Sequence, residues 1–480
     1  MKLLRKATLY FREGNSDKIY EVELSELSGA QPQRYVVNFR YGRRGGSLRE
    51  GTKTTQPVDF SEAEEIFVSL VVSKENKGYR AADAGASPVV KISNVATSND
   101  DRSQWHQRLL FLLDSPDNHP QNRDRQQRAI WRVGEIGLVA AQDKLLAFAR
   151  QRDVPLIYCA TWALGRLQQV TSIPLLQQLT QHGDERVRRI ANDALIACLQ
   201  SHERDAYCAQ LRTTLPDALQ TCMTLNDVEA WHNAFAKTLG EGGESAYLLE
   251  PLYRLSLTNG TLHQALCERL ASLPLRPPYF RVFRHILKSA EFHLDGVMLG
   301  VMAKRLDTTP AMVNGRWMTH PYTYKYVEVI EELKKPDSTV AYSTATRAYL
   351  RRRMWRVCRR LGEIDDDRYV SLAMGFLASI NDSDAQAART RESYEWKQIN
   401  RRHQRVLKAI KHYDGFASHI VFNHILAANS PQYRLSHSGK AWEFDATQSD
   451  AGRTEAFPDI WDRHPQALLQ LLLASRNARV

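Results

Sequence analysis

The chain has 480 residues, 43% of them hydrophobic, with 65 lysines and arginines against 54 aspartates and glutamates. That length exceeds one ordinary core and that apolar share excludes a disordered chain, so several domains or one extended repeat array is expected. The formal net charge of +11 favours a polyanion such as nucleic acid as partner.

Residues 1–80 alternate like strands. Thr8–Phe11, Lys18–Leu24 and Tyr35–Tyr41 are β-branched and aromatic, and Gly14-Asn15-Ser16-Asp17 supplies turn chemistry between the first two. Ser61 with Glu64 has the form of a capping box opening a helix over about 61–74, with Ile66, Phe67, Leu70 and Val71 on one face. Residues 81–103 are rich in Ala, Ser, Asn and Asp and are read as a flexible linker.

From 104 to 480 the sequence is read as helices with short breaks. Ala129, Ala160 and Ala191 recur 31 residues apart; Trp131 matches Trp162 and Gly134 matches Gly165. Val133, Leu164 and Leu195 align, and Asp153 and Asp184 each stand just before a helix start. One unit is helix, turn, helix, and such units bury their apolar faces only by stacking on neighbours. Beyond about 215 the repeat blurs, with a degenerate unit near 340–380, where Arg352–Val357 echoes Arg128–Val133. The fold expected is mainly α: a solenoid of HEAT-like helical repeats behind a small β-rich α+β N-terminal domain.

Cys159, Cys198, Cys208, Cys222, Cys267 and Cys358 form no CxxC pair and no zinc-spaced set, which is expected of buried thiols in the cytoplasm. No segment has the apolar core of a signal peptide or the ~18 apolar residues of a membrane span, so no membrane is expected as partner. P-loop, GxSxG, HExxH and kinase motifs are absent, so neither an enzyme nor a cofactor or metal is expected.

Arg40, Arg43 and Arg44 cluster around Tyr41 and Gly42, with Gly45 and Gly46 following. Arginine forks match phosphate oxygens, glycines admit close backbone approach, and an aromatic ring offers a stacking platform. Lys18 and Lys53 join these as DNA-binding candidates. Arg351, Arg352, Arg353, Arg356, Arg359 and Arg360 form the densest basic run. Arg351, Arg352 and Arg356 are taken as a phosphate-facing ridge, supported by Arg401, Arg402, Arg405 and Lys408; the plainer reading is a solvated face. His412, His419 and His424 are read as ordinary histidines of a helix–loop–helix.

Three N-terminal blocks occur in an order and spacing that resemble a WGR domain over about residues 4–80: Asn15–Glu21, Phe39–Arg43 and Lys74–Tyr79. Tyr41 stands where the family's name has Trp. In DNA-damage-responsive poly(ADP-ribose) polymerases this domain contacts DNA at a strand break, with the aromatic at the duplex end and the arginine linking DNA to a neighbouring domain. The resemblance implies those positions for Tyr41 and Arg43. Leu275–Arg281, Tyr342–Trp355 and Phe457–Pro465 resemble segments of large bacterial WGR proteins of the molybdate-metabolism-regulator-like kind. The function expected is a non-enzymatic DNA-binding scaffold holding duplex or ends with weak sequence preference, its solenoid binding more DNA or a protein. The alternative is a protein-interaction adaptor working with an AAA+ ATPase or in a defence complex. The oligomeric state is left open.

Overall fold

The computed structural model describes residues 2–13, 16–27, 35–43, 48–54, 57–75, 79–81, 99–114, 120–225, 227–239, 244–276, 278–311, 317–320, 323–334, 343–399, 402–436, 439–450 and 452–480. The chain divides into two compact units, Met1–Gln126 and Gln127–Val480.

The first unit holds an antiparallel sheet of β1 (Lys2–Glu13), β2 (Ser16–Glu26), β3 (Tyr35–Arg43), β4 (Arg49–Thr52) and β5 (Arg80–Ala81), in the order β4-β3-β2-β1-β5. Alternation along these strands sends Leu9, Tyr20, Val22, Leu24 and Val37 to one face. Helix α1 (Phe60–Glu75) covers that face with Ala63, Phe67 and Leu70, spaced as one helical stripe. The helix begins one residue before Ser61. Its N-terminus is capped by Asp59, whose Oδ1 accepts from the Glu62 amide at 2.9 Å, rather than by a Ser61 capping box. Helix α2 (Asn99–Asp114) starts inside the span read as linker, and Ala81 belongs to β5; residues 82–98 lie outside the described residues.

Helix α3 (Pro120–Ile136) carries the chain into the second unit. There α4 (Gln142–Ala149), α5 (Val154–Leu167), α6 (Ile173–Leu179) and α7 (Glu185–Cys198) follow with short turns. The 31-residue periodicity has a direct physical cause, because equivalent residues touch across neighbouring helices. Trp131 and Trp162 stack with centroids 3.8 Å apart, and Ala129, Ala160 and Ala191 are buried. A Cβ on Gly165 would come within 2.6 Å of the Ala194 Cα, so only glycine permits that approach of α5 to α7. Asp153 and Asp184 are N-caps, accepting from the amides of Leu156 and Arg186.

The helices continue as α8 (Ser201–Arg212), α9 (Asp217–Cys222), α10 (Val228–Leu239), α11 (Leu249–Ser256), α12 (Gly260–Ser272), α13 (Tyr279–His293), α14 (Gly296–Thr308), α15 (Val329–Lys334), α16 (Thr344–Glu363) and α17 (Arg368–Ala378). One buried apolar cluster runs from Leu215 through Trp231, Phe283 and Tyr369 to Trp461. The pair α14 and α17 is unusually close, with Gly300 and Gly296 against Gly375, where a Cβ would fall 2.1–2.2 Å from backbone.

The uniformly helical reading of 104–480 needs correction. Strands β6 (Trp317–Thr319) and β7 (Tyr326–Glu328) pair, and β8 (Arg389–Ile399) and β9 (Arg402–Tyr413) form a long hairpin. β10 (Tyr433–Leu435) and β11 (Trp442–Phe444) extend it into a sheet ordered β10-β11-β9-β8. His412 therefore lies on a strand, while His419 and His424 belong to the start and body of α18 (Ile420–Leu426). Arg402, Arg405 and Lys408 are on β9, not on a helix. The chain closes with α19 (Pro458–Asp462) and α20 (Pro465–Ala474). Among the described residues, no helix is long and apolar enough to cross a membrane.

Candidate nucleic-acid interface

Register decides which N-terminal side chains meet. In β3, Phe39 and Tyr41 are two residues apart and share a face; across the pair, Tyr41 lies opposite Tyr20 and Phe39 opposite Val22. Toward its end this face becomes aromatic. Tyr20 stacks against Phe39 at 5.6 Å and against Tyr41 at 5.9 Å, and Tyr79 sits 5.3 Å from Phe11. Tyr41 is the outermost of these stacked rings on β3 and keeps 39% of its surface exposed. Burial, then the neighbouring phenols of Tyr41 and Tyr79, push the Tyr20 hydroxyl up to about 12, so it stays protonated.

Three lysines lie over these rings. Lys18 Nζ is 5.7 Å from the Phe11 centroid, Lys53 Nζ 5.9 Å from Phe39, and Lys74 Nζ 4.1 Å from Tyr20. Ring quadrupoles attract these ammonium groups by about 0.5–1 kcal/mol at exposed sites without neutralising them. Lys18 and Lys53 have no carboxylate partner among the described residues. The strand register sets Arg43 opposite Lys18; the Arg43 side chain and all of Arg44 lie outside the described residues.

Arg40 does not join this group. As a neighbour of Tyr41 in a strand it points to the opposite face. There it meets Glu23 at 2.6 Å and Glu21 at 3.1 Å, with Lys6 bridging the same two acids. Burial acts to raise the Glu23 carboxyl, but Lys6 and Arg40 outweigh it and hold it below its usual range. Arg40 is thus ion-paired within its own sheet, and the cluster read around Tyr41 divides between two faces.

Helix α16 sorts its arginines more sharply. Arg351 is 5% exposed, paired with buried Asp307, and donates to the Ser418 carbonyl. It cannot face a phosphate, which corrects its place in the proposed ridge. Arg353 is held by Glu291, and Arg359 and Arg360 by Glu363. Arg352 and Arg356 are exposed one helical turn apart and form no ion pair among the described residues.

The composition of the aromatic face was visible in sequence, but its assembly was not. Phe11, Tyr20 and Phe39 could have been found from the two-residue period that places them beside Tyr41. Lys74 arrives from α1, and no local pattern announces it.

Elsewhere, His263 Nε2 is 2.7 Å from Asp295 and its Nδ1 3.8 Å from the Cys267 sulfur. Cys267 is buried, and Asp295 caps α14 and accepts from the Tyr253 hydroxyl. The trio therefore works as a clamp on a helix end rather than as an exposed nucleophile. Among the described residues, no group of three or more His, Cys, Asp or Glu could hold a metal.

No family model matches the chain, and no curated protein matches it. Among solved structures, it is similar to the complex of CpcE and CpcF of phycocyanin lyase from Nostoc sp. PCC7120. The identity is 14% and the TM-score 0.23, over 62% of this chain and 100% of the other. A likeness of that size carries no argument about function.

Proposed function

We propose that the chain is a non-enzymatic DNA-binding scaffold. Its N-terminal sheet acts as a WGR domain that grips duplex DNA or a DNA end, and its helical part is a solenoid of HEAT-like repeats offering a second surface. The observation that carries this reading is the aromatic face of β1–β3. It combines lysines without carboxylate partners, at Lys18 and Lys53, with the half-exposed Tyr41 ring. Lysines there meet phosphates, and the ring stacks on a terminal base or sugar where the duplex leaves one uncovered. Contacts of this kind carry little sequence information.

The test is competition of a linear fragment against a covalently closed circle of the same sequence. Wild type prefers the linear form, and Tyr41→Ala removes that preference while leaving duplex binding in place. Equal affinity for both forms in wild type ends the end-binding reading and leaves general duplex binding.

A protein-interaction role has its own observation. Trp396 is 71% exposed on the β8–β9 hairpin, with Leu407 and Ile410 half-exposed, and α20 exposes Leu469, Leu472 and Leu473. Apolar surface of this kind favours a protein partner, an AAA+ ATPase or a defence complex among them. Co-purification that survives loss of DNA binding in the Tyr41, Lys18 and Lys53 variants would favour it.

A further inference from the structure

Helix α13 carries Arg284, Lys288 and Glu291 along one stripe, three to four residues apart. Facing it, α16 presents Thr346, Tyr349 and Arg353, and the two helices line an open hollow of about 350 Å³. Lys288 also lines a second, much smaller hollow of about 60 Å³, against α7 and α11.

The carboxylates around these hollows are already engaged. Glu291 is taken by Arg353, Glu250 by Arg189 and His285, and Asp193 by Arg254 and the Ser289 hydroxyl. Arg353 also donates to the Tyr349 hydroxyl at 3.2 Å, leaving that hydroxyl's own hydrogen to be donated. Lys288 and Arg284, by contrast, form no hydrogen bond or salt bridge among the described residues. Arg284 only lies over the Phe280 ring, 5.9 Å away. Two cations without an ion-pair partner among the described residues thus sit in a concavity that already holds a third, Arg353.

We propose that Lys288 and Arg284, with the Tyr349 hydroxyl, form a binding site for a phosphate group. This site lies in the second unit and does not depend on the N-terminal sheet binding DNA. A phosphate oxygen accepts from the ammonium, the guanidinium and the phenol, in the charge-assisted geometry such groups favour.

Electrostatics agree. Burial first, then the charges of Arg353, Arg284 and Arg189, bring Lys288 down to about 8, with Glu291 opposing them. An anion at Lys288 raises it again. Affinity for a phosphodiester, whose own charge is constant over that range, therefore falls as pH rises from 7 to 9, because the free site loses its proton. The same chemistry is offered by a free phosphate and by the phosphodiester of a nucleic acid.

The experiment is calorimetry on the full chain with two probes. One is inorganic phosphate. The other is a short duplex offered to a Tyr41→Ala, Lys18→Ala, Lys53→Ala background, so that the N-terminal face no longer competes. Lys288→Met should weaken binding of at least one probe roughly tenfold or more, Lys288→Arg should largely restore it, and any wild-type affinity for the duplex should drop between pH 7 and 9. A Lys288 effect confined to inorganic phosphate assigns a free anion; an effect on the duplex assigns a nucleic-acid strand. Both support the site. If neither probe distinguishes Lys288→Met from wild type while circular dichroism shows the variant folded, the proposal is overturned.

Discussion

The N-terminal sheet and helix α16 are both basic, but they use their charge in opposite ways. On the sheet's aromatic face, Lys18 and Lys53 lie over rings, which attract a cation without cancelling it. On α16, Arg351, Arg353, Arg359 and Arg360 lie against carboxylates, and Arg351 does so in the interior. The densest run of arginines in the sequence is therefore chiefly a set of struts, while a sparser set of lysines faces outward with charge to offer. Pairing, rather than density, separates the cations left available from those that hold the fold together.

The largest expected effect lies on the strut side. Arg351→Met strands the buried Asp307 carboxyl and should cost about 3–5 kcal/mol of stability in urea unfolding, as broken buried pairs do. A cost below about 1 kcal/mol would erase the distinction between the two regions.

Next comes the pH dependence of the helical unit. Burial lowers His293 to about 4 and, with Arg359, His424 to about 3, where His424 stacks on Trp355. These groups are neutral in the fold, so the stability they carry is present above the unfolded value near 6.5 and is lost as pH falls toward 3. His263 is the reverse case. Asp295 and then Cys267 raise it to about 10, so its contribution is complete below about 6.5 and is lost as pH rises through 10. Stability should thus fall on both sides of neutrality. His424→Phe should flatten the acid limb and His263→Gln the alkaline one, each read by denaturant midpoints across pH.

On the sheet, Tyr41→Ala should remove roughly 1–3 kcal/mol of affinity for DNA ends, measured by anisotropy, with little change in the unfolding midpoint. The smallest effect belongs to Arg40. Because Glu21 and Glu23 hold it on the other face, Arg40→Ala should leave DNA affinity and its salt dependence nearly unchanged. A steep loss would show that the cation is released on binding.

The sequence was most legible where repeated residues touch their own counterparts. Trp131 packs on Trp162, and Gly134 and Gly165 each admit the next helix, so contact and period coincide. The β8–β9 hairpin was illegible for the opposite reason. Tyr394, Trp396, Leu407 and Ile410 are all substantially exposed, so no buried face imposes a two-residue alternation on the strands. Arg351 was misplaced because its partner Asp307 lies 44 residues away and leaves no local trace. The separation of Arg40 from Tyr41 follows from strand period alone and was available at the outset.

The most direct measurement is a salt titration of duplex binding for wild type and a Lys18→Ala, Lys53→Ala double variant. Each lost phosphate contact lowers the slope of log affinity against log salt by about 0.9, so the double variant should lose roughly 1.8, with its stability unchanged. An identical slope and affinity in the two proteins would contradict the account, because the cations set over the aromatic face would then not be the ones that meet DNA.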